Sequence, residues 1–322
     1  MIRRKNFGKK YQIQQKVMKN DAKIILGFRC NNSCVFCYEK ENRNLPNKTT
    51  SEIYQEILAA KKKKKTSIHL IGGEPTIRED IFDIVRFARA ERFKNIQLTT
   101  NGRMFCYPRF AEKLINSGLS NVIFSIHGHN ALIHDGLTKS PGSFDQLIKG
   151  ISHLRKIGFS RIGTNTTICS ANYRFLPALA EILLENCVER ATFIYVIPFE
   201  NAKFRQLAPP ISKAAGFIKQ ALESGKGFGY DWSLLNPPMG CYFSDIFARS
   251  VKYSDSRDEE LIVSHQNAKR IHQVSKNKLI EYIKIDKCEH CTIRRQCPGV
   301  MKQYVINYGE KEIKDNFCES LE

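Results

Sequence analysis

From residue 22 to 197 short apolar runs alternate with longer segments of helical period, and this alternation limits the possible folds more than any other feature. The runs "AKIILGF" (22 to 28), "SIHLI" (67 to 71), "NIQLTT" (95 to 100), "NVIFSI" (121 to 126), "RIGTNTTI" (161 to 168) and "ATFIYVI" (191 to 197) have the length and β-branched content of strands. Helical spacing of apolar residues fills the intervals 50 to 62, 79 to 92, 107 to 117, 143 to 157 and 173 to 187. Thr50 and Ser51 are placed to cap the first of these helices and Ser143 the fourth. Six strands joined by helices predict an α/β fold with a parallel sheet and right-handed crossovers. Periodicity alone leaves open whether that sheet stays flat or curls into a partial barrel.

Polar motifs fall where such a sheet gathers its working loops. "CNNSCVFC" (30 to 37) follows the first run, "GGEPT" (72 to 76) the second, "NG" (101 to 102) the third, "HG" (127 to 128) the fourth and "CS" (169 to 170) the fifth. In parallel α/β folds the C-terminal ends of the strands carry the active-site loops, so five independent motifs are expected at one mouth. Three thiols spaced by four and three residues are one short of the four that close a structural metal site, which leaves a position for a further ligand.

Beyond Pro198 the alternation stops. A helical segment (211 to 223) leads into "GKGFGYDWSLLNPPMG", then a polar, charged stretch to about 285, then "CEHCTIRRQCPG". This predicts a smaller, loop-rich C-terminal unit that needs a metal to fold. No run reaches the ~20 apolar residues of a membrane span, and "MIRRKNFGKKYQIQQKVMKN" lacks the apolar centre of a signal peptide, so the expected location is cytoplasmic. In that compartment clustered cysteines point to metal or redox chemistry instead of disulfides. Seven of the eleven lie in two tight groups or at the C-terminus, while Cys106, Cys169, Cys187 and Cys241 are scattered. The formal charge of +19 suits nucleic acid, an anionic membrane or an acidic protein, and equally suits a lysine-rich composition with no specific partner.

The C-x-x-x-C-x-x-C of Cys30, Cys34 and Cys37 behind a strand, with "GGEP" after the next, resembles the radical SAM superfamily over most of residues 22 to 200. The resemblance implies a partial (β/α)6 TIM barrel in which Cys30, Cys34 and Cys37 hold a 4Fe-4S cluster and S-adenosylmethionine takes its fourth iron. Phe36 stands at the family's aromatic position, with Tyr38 after the third cysteine. Gly72, Gly73, Glu74 and Pro75 match the segment that meets the methionyl amino group, for which Glu74 can accept from an ammonium. Asn101, Ser125, Asn165 and Thr166 resemble the ribose and carboxylate contacts. Two departures stand out: His127 replaces an Asp common in relatives, and Thr138 and Lys139 occupy the place of an expected arginine, which leaves the SAM carboxylate without an assigned clamp. No catalytic residue is assigned, although His127, His129 and His134 cluster after the fourth strand, where an imidazole could move protons.

The second cysteine group is similar to the C-terminal half of a SPASM or twitch extension, which implies that Cys288, Cys291, Cys297 and Cys318 close one auxiliary 4Fe-4S cluster. Met301 stands where the full pattern has another cysteine, so one such cluster is expected and not two. Cys241 in "PMGCYF" could replace one ligand or face the substrate, and structural zinc is the competing occupant of the four thiols. The implied organisation is a basic arm over 1–20, a radical SAM core over 21–200, a linker and helix over 201–236 and the auxiliary-cluster domain over 237–322. The implied activity is reductive cleavage of SAM to a 5'-deoxyadenosyl radical that takes hydrogen from a peptide or protein side chain. RNA or a small-molecule precursor is the alternative substrate, and a non-catalytic iron-sulfur or zinc protein the remote one. Electrons would come from a flavodoxin or ferredoxin, whose acidic surfaces suit a basic chain.

Overall fold

The computed structural model describes residues 21–197, 201–253, 280–309 and 312. The basic arm over 1–20 and Cys318 lie outside the described residues. Eight parallel strands form one sheet in the order β1 to β8: Asp21–Ile25, Ser67–Ile71, Asn95–Thr100, Asn121–Ser125, Ile162–Ile168, Arg190–Tyr195, Asp231–Leu235 and Val251–Lys252. The first six are the six expected runs. β7 falls in the stretch read as a linker, where "DWSLL" pairs with β6 from Arg190↔Asp231 to Ile194↔Leu235. Its Gly-rich and Pro-rich flanks had masked a strand whose Trp232 and Leu234 are buried. The sheet curls into a half-barrel whose edge strands, β1 and β8, each pair with one neighbour only.

The helices are α1 (Thr50–Lys62), α2 (Ile81–Ala90), α3 (Pro108–Asn116), α4 (Ala131–Thr138), α5 (Ser143–Lys156), α6 (Leu176–Glu185), α7 (Asn201–Leu207), α8 (Ile211–Gly227), α9 (Phe247–Ser250) and α10 (Lys302–Tyr308). The cap of α1 is Thr49, one residue earlier than expected. Its hydroxyl accepts from Glu52 N while the Glu52 carboxylate accepts from Thr49 N at 2.7 Å, a capping box that fixes the start of the helix. Ser143 does not cap α5 either: Gly142 takes that position, and the Ser143 hydroxyl donates to Asp135 Oδ1 at 2.8 Å. Helix α4, within the loop after β4, was not anticipated.

Burial alternates along the strands. Ile24, Leu70, Leu98, Phe124 and Phe193 are sealed in the core, while their neighbours Lys23, His69, Gln97, Ser125, Asn165 and Thr192 are half-buried on the opposite face. A parallel sheet ordinarily has both faces covered. Here the second face is polar and partly open, and in-register pairing lines up Ser125, Asn165, Thr192 and Ser233 across β4 to β7. The small antiparallel pair β9 (Tyr282–Ile283) and β10 (Val300–Met301) carries the C-terminal loops. Among the described residues no helix is long and apolar enough to cross a membrane.

Candidate functional site

The loop after β1 carries Cys30, Cys34 and Cys37 and is tied to three neighbours. Backbone bonds run from Gly73 N to Gly27 O and from Glu74 N to Arg29 O, both 2.8 Å, and from Ser33 N to Thr138 O and Val35 N to Leu137 O at 2.8 and 2.9 Å. The loop's own backbone is therefore paired almost as a strand would be, which satisfies groups that would otherwise be costly to bury. Close approach makes the glycines obligatory: a Cβ on Gly73 would lie 2.2 Å from Arg29 O, and one on Gly72 2.3 Å from Gly27 O. The pair joins the two loops directly.

Both ends of the cysteine loop are held by a residue that the sequence had not singled out. Arg78 Nη1 donates to Leu26 O at 2.9 Å and to Lys48 O at 3.0 Å, while its other nitrogens pair with Asp80. Beside it the Lys48 amine sits between both Glu56 oxygens at 2.6 and 2.7 Å, with both side chains almost sealed from water. Arg103, also unremarked, reaches Asn31 O at 2.5 Å and Asn32 Oδ1 at 3.1 Å, and donates through Nε to Gln146 Oε1. Its only sequence signal is a basic residue directly after the Asn-Gly turn.

Glu74 is tied into the protein by its own hydrogen bonds. It is 3 % exposed, and its carboxylate is occupied inside the protein: Oε1 accepts from Thr76 N, Thr76 Oγ1 and Thr100 Oγ1, and Oε2 from Asn101 N. Burial raises its proton affinity, and those four donors oppose the rise. In this geometry it locks the β2 and β3 loops together, with three donors on Oε1 and one on Oε2, which keeps acceptor capacity. Pro75 starts a short 3-10 turn behind it. Asn101 carries the linkage on, donating from Nδ2 to Asn31 Oδ1 at 2.7 Å. Thr138 contributes its carbonyl to the cysteine loop and its hydroxyl to Ser143, so it is a strut and not a substitute for the expected arginine.

Of the other expected contacts, Ser125 and Asn165 are paired in register and half-buried on the open face. Thr166 points to the other face, where it is buried and its hydroxyl donates to Ile126 O at 2.8 Å; the strand's period of two removes it from the mouth. Phe36 packs edge-on against His127 with centroids 4.7 Å apart, whereas Tyr38 is 62 % exposed.

The histidines form a neutral set. Thr167 N donates to His127 Nδ1 at 3.2 Å and His127 N donates to His134 Nδ1 at 3.1 Å, which assigns the proton of each ring to Nε2. Burial, then the neighbouring His134, holds His127 well below the usual imidazole range, and burial brings His134 down to about 4 against the opposing Asp135. His69 on the open face is likewise lowered to about 3 by burial and then by Lys23, with its Nε2 2.7 Å from Thr99 Oγ1. All three shifts favour the neutral ring.

Residues 24–171 match the profile of the Radical SAM superfamily. That stretch, from β1 past the end of β5, is similar to a radical SAM domain. In sequence it is similar to the AdoMet-dependent heme synthase of Methanosarcina barkeri, 33 % identical over 48 % of this chain and 44 % of that one. It is also similar to a probable GTP 3',8-cyclase of Methanocaldococcus jannaschii, 28 % identical over 55 % and 58 %. The chain thus spans about half the length of these curated relatives. In fold it resembles anSMEcpe with bound AdoMet and a Cp18Cys peptide, with a TM-score of 0.63 at 16 % identity over 91 % of this chain and 94 % of that one.

The three cysteines of the first loop fit an iron-sulfur cluster by the chemistry of their donors. Burial raises the Cys30 thiol, and burial followed by the proximity of Cys30 and Cys37 pushes Cys34 up to about 12. Three soft sulfur donors crowded on one partly buried loop repel one another as thiolates, a cost that an electropositive iron core offsets. Among the described residues no three Cys, His, Asp or Glu side chains are grouped for a single metal ion.

A second cysteine site lies at β9 and β10. A small open cavity is lined by Cys288, Cys291 and Cys297 and also by Cys241, Lys284 and Arg294. Sequence reasoning had placed the first three together and left Cys241 undecided.

Proposed function

We propose that this protein is a radical SAM enzyme that takes hydrogen from a peptide or protein side chain. The observation that carries the reading is the cysteine loop, hydrogen-bonded into the β2 loop and the end of α4 at the rim of a half-barrel whose inner face is polar and partly open. In this reading Cys30, Cys34 and Cys37 hold a 4Fe-4S cluster, and SAM completes it. Held there by Cys30, Cys34 and Cys37, the cluster would supply the one-electron reductive chemistry that SAM cleavage and hydrogen abstraction from substrate require.

The chain's own residues do the rest. Gly72, Gly73 and the buried Glu74 hold the cysteine loop at a fixed distance from β2 and β3. Phe36 and His127 form one wall of the mouth, and His127 offers a neutral Nε2–H donor there. Asn101, Ser125 and Asn165 remain the polar groups proposed to meet the nucleotide. The half-buried row Ser125, Asn165 and Thr192 gives an extended substrate a line of hydrogen-bonding groups inside the curl, out of bulk water as radical chemistry requires.

Support for a peptide comes from the peptide-bound neighbour that covers nearly the whole chain, and from the C-terminal cysteine cavity, which suits one auxiliary cluster. The sequence relatives favour a second reading, a small-molecule precursor as substrate. The electron donor in either case is proposed to be an acidic flavodoxin or ferredoxin. Anaerobically reconstituted protein with dithionite and SAM is expected to release 5'-deoxyadenosine; none released would defeat both readings. Mass spectrometry of peptides co-expressed with the enzyme decides between them: a shift in peptide mass that requires Cys30, Cys34 and Cys37 supports the first, and unmodified peptides support the second.

A further inference from the structure

We propose that Cys241 is a ligand of the auxiliary cluster, so that Cys241, Cys288, Cys291 and Cys297 form one four-sulfur site. This deepens the reading above and rests on its auxiliary cluster. It replaces the ligand set that sequence resemblance implies, in which Cys318 is the fourth sulfur.

Cys241 reaches the cavity because the chain before it is bound to the C-terminal strands. Met239 bridges Val300 in antiparallel fashion, Met301 N donates to Pro238 O at 2.8 Å, and the Tyr282 hydroxyl donates to Pro237 O at 3.2 Å. Residues 237–239 thus add to the edge of the β9–β10 pair, and Gly240 leads directly to the cysteine. Contact at the far side is equally tight: a Cβ on Gly240 would lie 2.8 Å from Cys297 Sγ, so the backbone beside Cys241 abuts the sulfur of the third cysteine.

The surroundings suit thiolates on a cluster. Gly299 N lies 3.4 Å from Cys297 Sγ and the Tyr253 hydroxyl 3.7 Å from it, and hydrogen bonds to sulfur tune such clusters. Gly299 takes φ +121°, and a Cβ there would lie 2.2 Å from Ile283 O, so the loop that aims its amide at the sulfur is open to glycine alone. Lys284 and Arg294 line the cavity and offset the negative charge of a core held by four thiolates. Lys284 also donates to the carbonyls of Arg294 and Cys297, which closes the turn around the third cysteine. Four soft donors lining one cavity, not drawn together for a single metal ion, suit the larger core of an iron-sulfur cluster.

Metal analysis of the full chain tests the assignment. A variant carrying Cys30→Ala, Cys34→Ala and Cys37→Ala isolates the C-terminal site and is expected to hold about four irons per chain after anaerobic reconstitution. Adding Cys241→Ala is expected to remove them while the far-ultraviolet circular dichroism keeps the signal of the half-barrel. Four irons retained in that quadruple variant overturn the assignment of Cys241 alone. No iron in the triple variant, or zinc in its place, overturns the auxiliary cluster and this inference with it. As a second variant, Cys241→Ser keeps the shape of the side chain, and in the triple background its reduced cluster is expected to show shifted g-values or to be lost. An electron paramagnetic resonance signal identical to that of the triple variant would overturn the proposal.

Discussion

The two cysteine sites are built in opposite ways. The first is a loop fastened at many points to the ends of parallel strands: Arg78 grips both of its ends, Glu74 and Asn101 tie it to β2 and β3, and the end of α4 takes its backbone amides. The second has one two-residue strand pair, a single bridge at Met239 and a few side-chain bonds to bring distant cysteines to one cavity. A site on a regular sheet is fixed by the sheet before any metal arrives, whereas at the second site the proposed cluster would complete packing that two-residue strands leave open. The difference predicts that the first site tolerates loss of its cluster structurally and the second does not.

The largest effect that could break this contrast is on SAM cleavage. Cys30→Ala, Cys34→Ala or Cys37→Ala is expected to abolish release of 5'-deoxyadenosine while the apoprotein keeps its melting temperature. Cys288→Ala is expected to leave SAM cleavage measurable while lowering the melting temperature of the reconstituted protein. Chromatographic assay of 5'-deoxyadenosine with a thermal melt of each variant gives the answer, and equal loss of activity in both sets would end the distinction.

Next in size is the clamp. Arg78→Ala leaves the Leu26 and Lys48 carbonyls and the Asp80 carboxylate short of a partner in a largely buried place, at a cost of about 3–5 kcal/mol in denaturant unfolding of the apoprotein. A change under about 1 kcal/mol would mean that the loop is not held as described.

Acid titration sharpens the contrast further. His134 binds its proton at about 4 in the folded chain against an ordinary value of 6.5, so the unfolded chain takes up the proton first. The stability tied to it is therefore full above pH 6.5 and is lost as pH falls toward about 4. His134→Gln removes that part of the acid sensitivity, about 3 kcal/mol, from unfolding curves of the apoprotein across this range. Parallel curves for the two proteins would show that His134 is solvated.

The smallest expected effect is at the second site. Tyr282→Phe removes one hydroxyl bond to Pro237 and costs about 1 kcal/mol in the reconstituted protein. Its sharper consequence is faster loss of iron from the C-terminal site to a chelator, with the first site unaffected.

What could be read before the fold was known follows the same division. The six strands and the motifs at their ends were legible because strand and helix periods are local, and because a parallel sheet sends every strand's C-terminal end to one rim. α4 went unread because its few turns lie inside a loop of mixed composition. β7 did so because Gly and Pro flank a run of only five residues. Cys30, Cys34 and Cys37 could be singled out from spacing. The inward turn of Glu74, the reversal of Thr166 and the clamps at Arg78 and Arg103 could not, since each depends on which atoms from remote segments arrive within hydrogen-bonding distance.

By itself the sequence determined the parallel α/β frame, the rim at which its polar motifs gather and the thiol trio on the first loop, all consequences of short-range period and spacing. Only the tertiary structure decided which polar groups are spent internally and that Cys241 shares a cavity with Cys288, Cys291 and Cys297. The physical reason is distance along the chain: a hydrogen bond or shared cavity between segments far apart in sequence leaves no periodic trace in either, and it exists only once packing has brought them together.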